Sequence, residues 1–258
     1  MKSLRVVPPS SALAGPAYRA VMASGAGRLV GRRDRSSAAL RRALWTTAVG
    51  LFAPEERAWI QRVEGRRAEL AASEVSQFAQ WASIAPVWGR LLMRIVRELR
   101  PSTCLELGAG FGISAAYQGA SLELNGTGSL TTMERVEGLG QIVSQGVHRL
   151  GLGDRVTIRV GSADDALEAV LDETGPVDYA FLDADHTVEG TVAHFTTLEP
   201  HLADGAVVVL DDINWTEGMR RAWAEISGRE RVATSVRLRR MGIIVVARRG
   251  DGTQMPRQ

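Results

Sequence analysis

Lysine is nearly absent from this 258-residue chain: Lys2 is the only one, so basic charge rests almost wholly on arginine. We read that skew as a trace of GC-rich coding rather than as function. Cysteine is equally scarce. Cys104 stands alone, which excludes an intramolecular disulfide and fits a cytoplasmic setting. No apolar run approaches the roughly 20 residues that a membrane-spanning helix needs. Pro8, Pro9, Gly15 and Pro16 interrupt any apolar core that a secretory leader would place near the start. What is present is ordinary: 45% hydrophobic and 23% charged residues, in a length that suits one large domain plus an appendage.

Charge is distributed unevenly. Residues 1–54 hold nine basic residues (Lys2, Arg5, Arg19, Arg28, Arg32, Arg33, Arg35, Arg41 and Arg42) against one acid, Asp34, while the whole chain carries only +2. A basic arm on an acidic body has three readings. It packs on its own or a partner subunit's surface, it lies on an anionic membrane surface, or it touches nucleic acid. No nucleic-acid motif accompanies it, and we favour a solvated helix or a homodimer contact over the membrane.

Residues 1–16, rich in Pro, Ser and Ala, are expected to be a flexible N-terminus, and 251–258 a flexible tail. The stretch 17–100 reads as a helical extension or lid. One helix is expected from Ser36 to Gly50. A second opens at Pro54, a favoured first-turn residue, with Glu55 and Glu56 suiting the helix dipole and an apolar stripe at Trp59, Ile60, Val63 and Leu70. A third carries Trp88, Leu91, Leu92, Ile95 and Val96 and stops at Pro101. Trp45, Trp59, Trp81 and Trp88 are expected in core or subunit packing. Ser83-Ile84-Ala85-Pro86 is a candidate lid segment.

The catalytic domain is expected over 101–250, and its most informative stretch runs from Cys104 to Ser114. An apolar strand leads into Glu106, then Gly108, Gly110 and Gly112, then a helix. Glycines at that spacing let a backbone turn tightly and approach a ligand, beside the free N–H groups of a helix start. The dinucleotide fingerprint G-x-G-x-x-G fails, because its third glycine falls on Ile113. A tight turn without a ligand stays open on this motif alone.

The motif reads E-x-G-x-G-x-G, and from here the chain resembles the class I S-adenosylmethionine (SAM) dependent methyltransferases. An acid such as Glu106 suits that cationic ligand and would repel a pyrophosphate. The resemblance implies an α/β, Rossmann-like fold with seven strands ordered 3-2-1-4-5-7-6. It also implies cofactor contacts from Glu106, Gly108, Gly110, Gly112 and Ser114. A second strand, Ser129–Glu134, ends in an acid placed for ribose hydroxyls. A third, Val156–Val160, leads to a turn where Ala163 (through its N–H) and Asp164 would edge the adenine, or where Asp164 and Asp165 simply cap a helix.

Two further strands empty into acids: Val177–Leu182 into Asp183-Ala184-Asp185-His186, and Gly205–Leu210 into Asp211-Asp212-Ile213-Asn214-Trp215. Neighbouring strands lie about 4.8 Å apart, so Asp183 would meet Asp211 and Asp212. Three converging carboxylates need positive charge or protons, and a hard dication is a natural partner. The arrangement resembles the metal-dependent catechol and caffeoyl-CoA type O-methyltransferases and related bacterial natural-product enzymes. Asp183, Asp211 and Asp212 match their metal acids, with Mg²⁺ the expected ion and Asp183 also bordering the cofactor. The general-base lysine of the catechol-type enzymes is replaced by His186, whose near-neutral pKa suits the same task. Together these imply methyl transfer from SAM to a hydroxyl of a phenolic, catechol-like, polyol or sugar acceptor, with His186 and Asp183 as catalytic residues. A metal-independent methyltransferase and a non-catalytic SAM-fold binding protein are the alternatives. His148, His194 and His201 read as structural or solvated. A hairpin is expected over 232–247, around Arg239-Arg240-Met241. Trp215 would stack on an acceptor or pack beneath the next helix.

Overall fold

The computed structural model describes residues 16–75, 77, 79 and 83–248. The expected flexible ends over 1–15 and 251–258, and Trp81, lie outside the described residues. Pro16 itself opens a helix, one residue inside the stretch expected to be irregular.

Seven strands form one sheet: β1 (Thr103–Leu107), β2 (Ser129–Glu134), β3 (Val156–Val160), β4 (Val177–Leu182), β5 (Leu202–Leu210), β6 (Val232–Arg237) and β7 (Gly242–Val246). Their order is β3-β2-β1-β4-β5-β7-β6. The first five pair in parallel, and β7 runs antiparallel to both β5 and β6. Sequence and structure agree on the order and on the closing hairpin. β5 starts three residues earlier than its apolar run suggests.

Alternation along the strands sorts side chains onto two faces. Cys104, Tyr179, Phe181, Val207 and Val209 share one core with α1 (Pro16–Arg28), α2 (Arg35–Val49), α3 (Pro54–Ala71), α4 (Pro86–Leu99), α5 (Ile113–Asn125) and α6 (Glu137–Leu150). Leu105, Leu107, Ala180, Leu182, Val208 and Leu210 face a second core with α7 (Ala163–Thr174), α8 (Val188–Leu198) and α9 (Glu217–Ser227). Burial on both faces explains why these strands read as nearly continuous apolar runs.

The N-terminal helices start and stop where local chemistry dictates. The Asp34 carboxylate accepts from the Ser37 N–H at 2.7 Å, which sets the start of α2 one residue before the expected Ser36. In α3, Pro54 takes the first turn and the Glu56 carboxylate accepts from the Ala53 N–H at 2.7 Å. Glu56 is buried and also pairs with Arg94 of α4 at 2.9 Å. Ile60, Val63 and Leu70 are buried as their spacing implies, and the Arg62 guanidinium stacks on Trp59. Trp88 is core. Trp45, expected in packing, is 54% exposed on α2 beside Val49 and Leu51. The α2 layer reaches the sheet, because the Ser36 hydroxyl donates to the Gly205 carbonyl at 2.5 Å. Among the described residues no helix is long and apolar enough to cross a membrane.

Candidate active site at the carboxyl edge of the sheet

Strand register alone assembles the site. Leu107 pairs with both Met133 and Leu182, Leu182 with Leu210, and Leu210 with Gly242 on the antiparallel neighbour. The residues that follow, Glu134, Gly108, Asp183 and Asp211, therefore form one row at one edge of the sheet. Because β7 runs the other way, Arg240 and Met241, just before its start, reach the same edge. Backbone bonds extend the ladder into the loops: the Asp183 N–H donates to the Leu107 carbonyl at 2.9 Å and the Asp211 N–H to the Leu182 carbonyl at 3.0 Å.

Gly108 is where the first and fourth strand ends touch. It has φ +91°, and a Cβ there would lie 2.3 Å from the Asp183 carbonyl oxygen. Only glycine satisfies both the left-handed backbone and that approach. The turn is held from the other side by Glu134, whose two carboxylate oxygens accept from the Gly110 N–H at 2.8 Å and the Val136 N–H at 2.9 Å. Gly112, at φ +79°, then opens α5.

Glu106 sits beneath this turn rather than in the crevice. Its side chain lies on the Cys104 face of β1 and is fully buried, accepting from Gln118 Nε2 at 2.7 Å and from the Thr132 hydroxyl at 2.5 Å. Burial pushes its carboxyl up to about 7, against the lowering effect of hydrogen bonds from Thr132, Ser114 and Gln118. Ser114 is buried in the first turn of α5. At the far side of the row, Ala163 and Asp164 form the first turn of α7. The cap there is Ser162, whose hydroxyl accepts from the Asp164 N–H at 3.3 Å. The Asp164 carboxylate is bonded instead to Nε2 of the buried His194, at 2.8 Å.

Asp183 and Asp212 converge with His186, whereas Asp211, also expected among the metal acids, lies behind this trio. Donor atoms of Asp183, His186 and Asp212 all lie within 4.8 Å of one another. His186 Nε2 is 3.3 Å from Asp183 Oδ1 and 3.5 Å from Asp212 Oδ2, and its ring stands edge-on to the exposed Trp215 at 5.0 Å. Asp212 occupies the left-handed region at φ +50°, and its N–H donates to Asp211 Oδ1 at 2.8 Å. Asp185 turns away to the start of α8, where it accepts from the Thr187 N–H. Burial and the Asp211 charge raise the Asp183 and Asp212 carboxyls, while the hydrogen bond to Asp183 raises the His186 imidazole.

Sequence reasoning missed one member of this cluster. Asp211 is fully buried, and its neighbour is Arg240: Nε lies 2.7 Å from Asp211 Oδ1 and 3.1 Å from Asp212 Oδ1, with Nη2 3.2 Å from Asp212 Oδ2. The signal was a basic pair at the tip of the hairpin that pairs with β5, which reaches this edge only through the antiparallel register. With every acid ionised and His186 neutral, three carboxylates and one guanidinium carry a net charge of −2; burial and that charge raise Asp183 and Asp212 in the absence of further positive charge. Asp211 Oδ2 is buried and has no hydrogen-bond partner, while His186 Nε2 faces the Asp183 and Asp212 carboxylates. An oxygen-rich donor set, an unpartnered buried carboxylate oxygen and excess negative charge fit a divalent cation.

Known proteins share this framework. A family model described as a methyltransferase domain matches residues 105–213. Catechol O-methyltransferase of Niastella koreensis is 33% identical over 104 residues, 40% of this chain and 46% of that protein. The Mycobacterium tuberculosis catechol O-methyltransferase is 29% identical over 148 residues, 57% of this chain and 63% of that protein. These matches thus span only about half the length of those relatives. Among solved structures, an O-methyltransferase from Bacillus cereus in complex with SAH superposes with a TM-score of 0.60 at 22% identity, covering 80% of this chain and 96% of that one. The O-methyltransferase TomG from Streptomyces achromogenes, in complex with SAM, gives 0.59 at 21%, covering 83% and 100%. Residues 105–213 are therefore similar to a methyltransferase domain, and the chain has the fold of solved O-methyltransferases.

Proposed function

We propose that the protein transfers a methyl group from SAM to a hydroxyl of a small molecule bearing two neighbouring hydroxyls, catechol-like or a vicinal diol, with help from a divalent cation. The observation that carries this reading is the abutment of the glycine turn on the acid cluster: Gly108 lies against the backbone of Asp183. A donor on the turn and an acceptor at the acids would then share one crevice.

In this reading Gly108, Gly110 and Gly112 let the donor approach the backbone, with Ser114 at the helix start behind them. Glu134, already holding the turn, has lone pairs left for ribose hydroxyls. Ala163 and Asp164 flank the adenine, with His194 fixing the Asp164 carboxylate. Glu106 acts from below as a support for the turn, through its bonds to Gln118 and Thr132. Asp183, Asp211 and Asp212 would hold Mg²⁺ or a similar ion, which supplies the positive charge that lowers an acceptor hydroxyl's pKa. His186 takes the hydroxyl proton at Nε2, and Asp183 and Asp212 stabilise the resulting imidazolium. Trp215 offers its exposed face to an aromatic or sugar acceptor. Most of the acceleration comes from alignment of oxygen, methyl and sulfur.

The test is formation of SAH and a methylated product from a panel of catechols, vicinal diols and sugars. Turnover should vanish in excess EDTA and in Asp211→Ala. Turnover undiminished in EDTA would leave Arg240 as the counter-charge and a metal-independent transferase as the answer. No SAH with any acceptor would refute methyl transfer to these classes. We also assign homodimerisation to the α1–α2 face, where Val30, Trp45, Val49 and Leu51 are exposed. A monomeric mass by light scattering would refute that.

A further inference from the structure

We infer that Arg240 is a built-in competitor of the divalent cation: its guanidinium occupies the Asp211–Asp212 side of the acid cluster, and a metal ion gains those oxygens only as the guanidinium withdraws. This inference rests on the cation reading above and concerns how that site is regulated.

The position of Arg240 is set by backbone, not by the ion pairs. The Ile213 N–H donates to the Arg240 carbonyl at 3.0 Å, and the Leu238 N–H donates to the Met241 carbonyl at 2.8 Å. Asn214 Nδ2 donates to the Arg239 carbonyl at 2.8 Å, and Arg237 bonds back to Asn214 Oδ1. Met241 beside it is fully buried. The loop after β5 and the β6–β7 hairpin are thus stitched together independently of the guanidinium. That side chain keeps a third of its surface exposed, so it can swing toward solvent while the loop stays put.

The competition follows from which atoms are engaged. Arg240 takes Asp211 Oδ1 and both Asp212 oxygens, yet leaves Asp211 Oδ2 buried and unpartnered. Asp183 keeps His186 as its near neighbour. A guanidinium is a planar fork that satisfies two carboxylates side by side. A hard dication instead needs the same oxygens to converge on one point. Both cannot hold Asp212 fully, and a positive charge within a few ångströms opposes a second cation. The cluster is therefore stable without metal and binds metal more weakly than its three carboxylates would allow.

The test is direct Mn²⁺ binding to the full chain, followed by the spin-resonance signal of free Mn²⁺ and by calorimetry, for wild type, Arg240→Gln and Arg240→Lys. Circular dichroism and melting in EDTA verify that each variant is folded. Removing the guanidinium should tighten Mn²⁺ binding on the order of tenfold or more. Lysine, a single ammonium that cannot bridge the pair, should fall between. Equal or weaker binding in Arg240→Gln, with wild type still binding, overturns the competition while leaving the cation reading intact. Absence of Mn²⁺ binding to every folded form overturns both.

Discussion

Glu106 should make this protein less stable as pH rises toward neutrality, and Glu106→Gln should remove that dependence. The carboxyl is raised from 4.5 to about 7 because it is fully buried and close to Glu134. In the unfolded chain it ionises near its ordinary value. Between those two values the native state keeps the proton and the unfolded state has lost it, so unfolding releases a proton and stability falls with increasing pH. One unit is worth about 1.4 kcal/mol, so the loss across the window is about 3 kcal/mol, complete once pH exceeds 7. The neutral side chain fits its surroundings: Gln118 Oε1 is buried without a partner, and turning that amide over presents it to the carboxyl proton. Glutamine keeps the shape and can serve both Gln118 and Thr132. Urea unfolding of both proteins from pH 4 to 8.5 measures the difference. Asp183 and Asp212 impose slopes of the same sign, but these cancel in the comparison. The variant should gain on wild type by about 3 kcal/mol between acid and neutral pH. A difference independent of pH would refute a neutral Glu106.

Three other perturbations probe separate parts of the argument. Gly108→Ala puts a Cβ 2.3 Å from the Asp183 carbonyl at φ +91°, so it should abolish SAM binding by calorimetry and lower the melting temperature; near-native SAM affinity would contradict the geometry. Glu56→Ala leaves Arg94 buried without its partner and removes the α3 cap, and should cost about 3–5 kcal/mol in urea unfolding, with a loss under 1 kcal/mol counting against it. His186 is held above its ordinary 6.5 by the Asp183 hydrogen bond, so it stays protonated to higher pH and its base form is lost as pH falls through that raised value. In EDTA the His186 ring protons should titrate above 6.5 by NMR, and that transition should be missing in His186→Gln; a midpoint at or below 6.5 would refute the Asp183 contact.

The sheet was legible because its signals are local and repeated. Strands buried on both faces show as apolar runs, and Gly108, Asp183 and Asp211 each follow one directly, so parallel register was enough to gather them. Glu106 was harder to place. Its position in the motif says that an acid precedes the glycines, but alternation along β1 sends the side chain to the Cys104 face, under the turn, where Thr132 and Gln118 claim it. The Asp164–His194 contact was hidden for a different reason: thirty residues separate the partners, and each alone reads as a helix residue. Trp45 shows the limit of composition, since an aromatic on a helix says nothing about which side of the helix finds a neighbour.

Arg240 exposes the deeper reason why an acid cluster cannot be interpreted from its acids alone. Three converging aspartates require compensation, and that requirement is readable, but its supplier is decided by topology. In a wholly parallel sheet the next strand would begin at the opposite edge and deliver nothing here. The single antiparallel strand β7 reverses that, so a hairpin tip far along the chain lands beside Asp211, and Gly242 seals the turn by packing its bare Cα against Trp223, where a Cβ would lie 2.2 Å from the ring. The same reversal therefore closes the sheet and brings a cation to the edge where the acids gather. Any relative that keeps the three acids but carries an uncharged residue at the position of Arg240 should need a metal ion, or protons, to stay folded at neutral pH, whereas this chain should keep its melting temperature in EDTA.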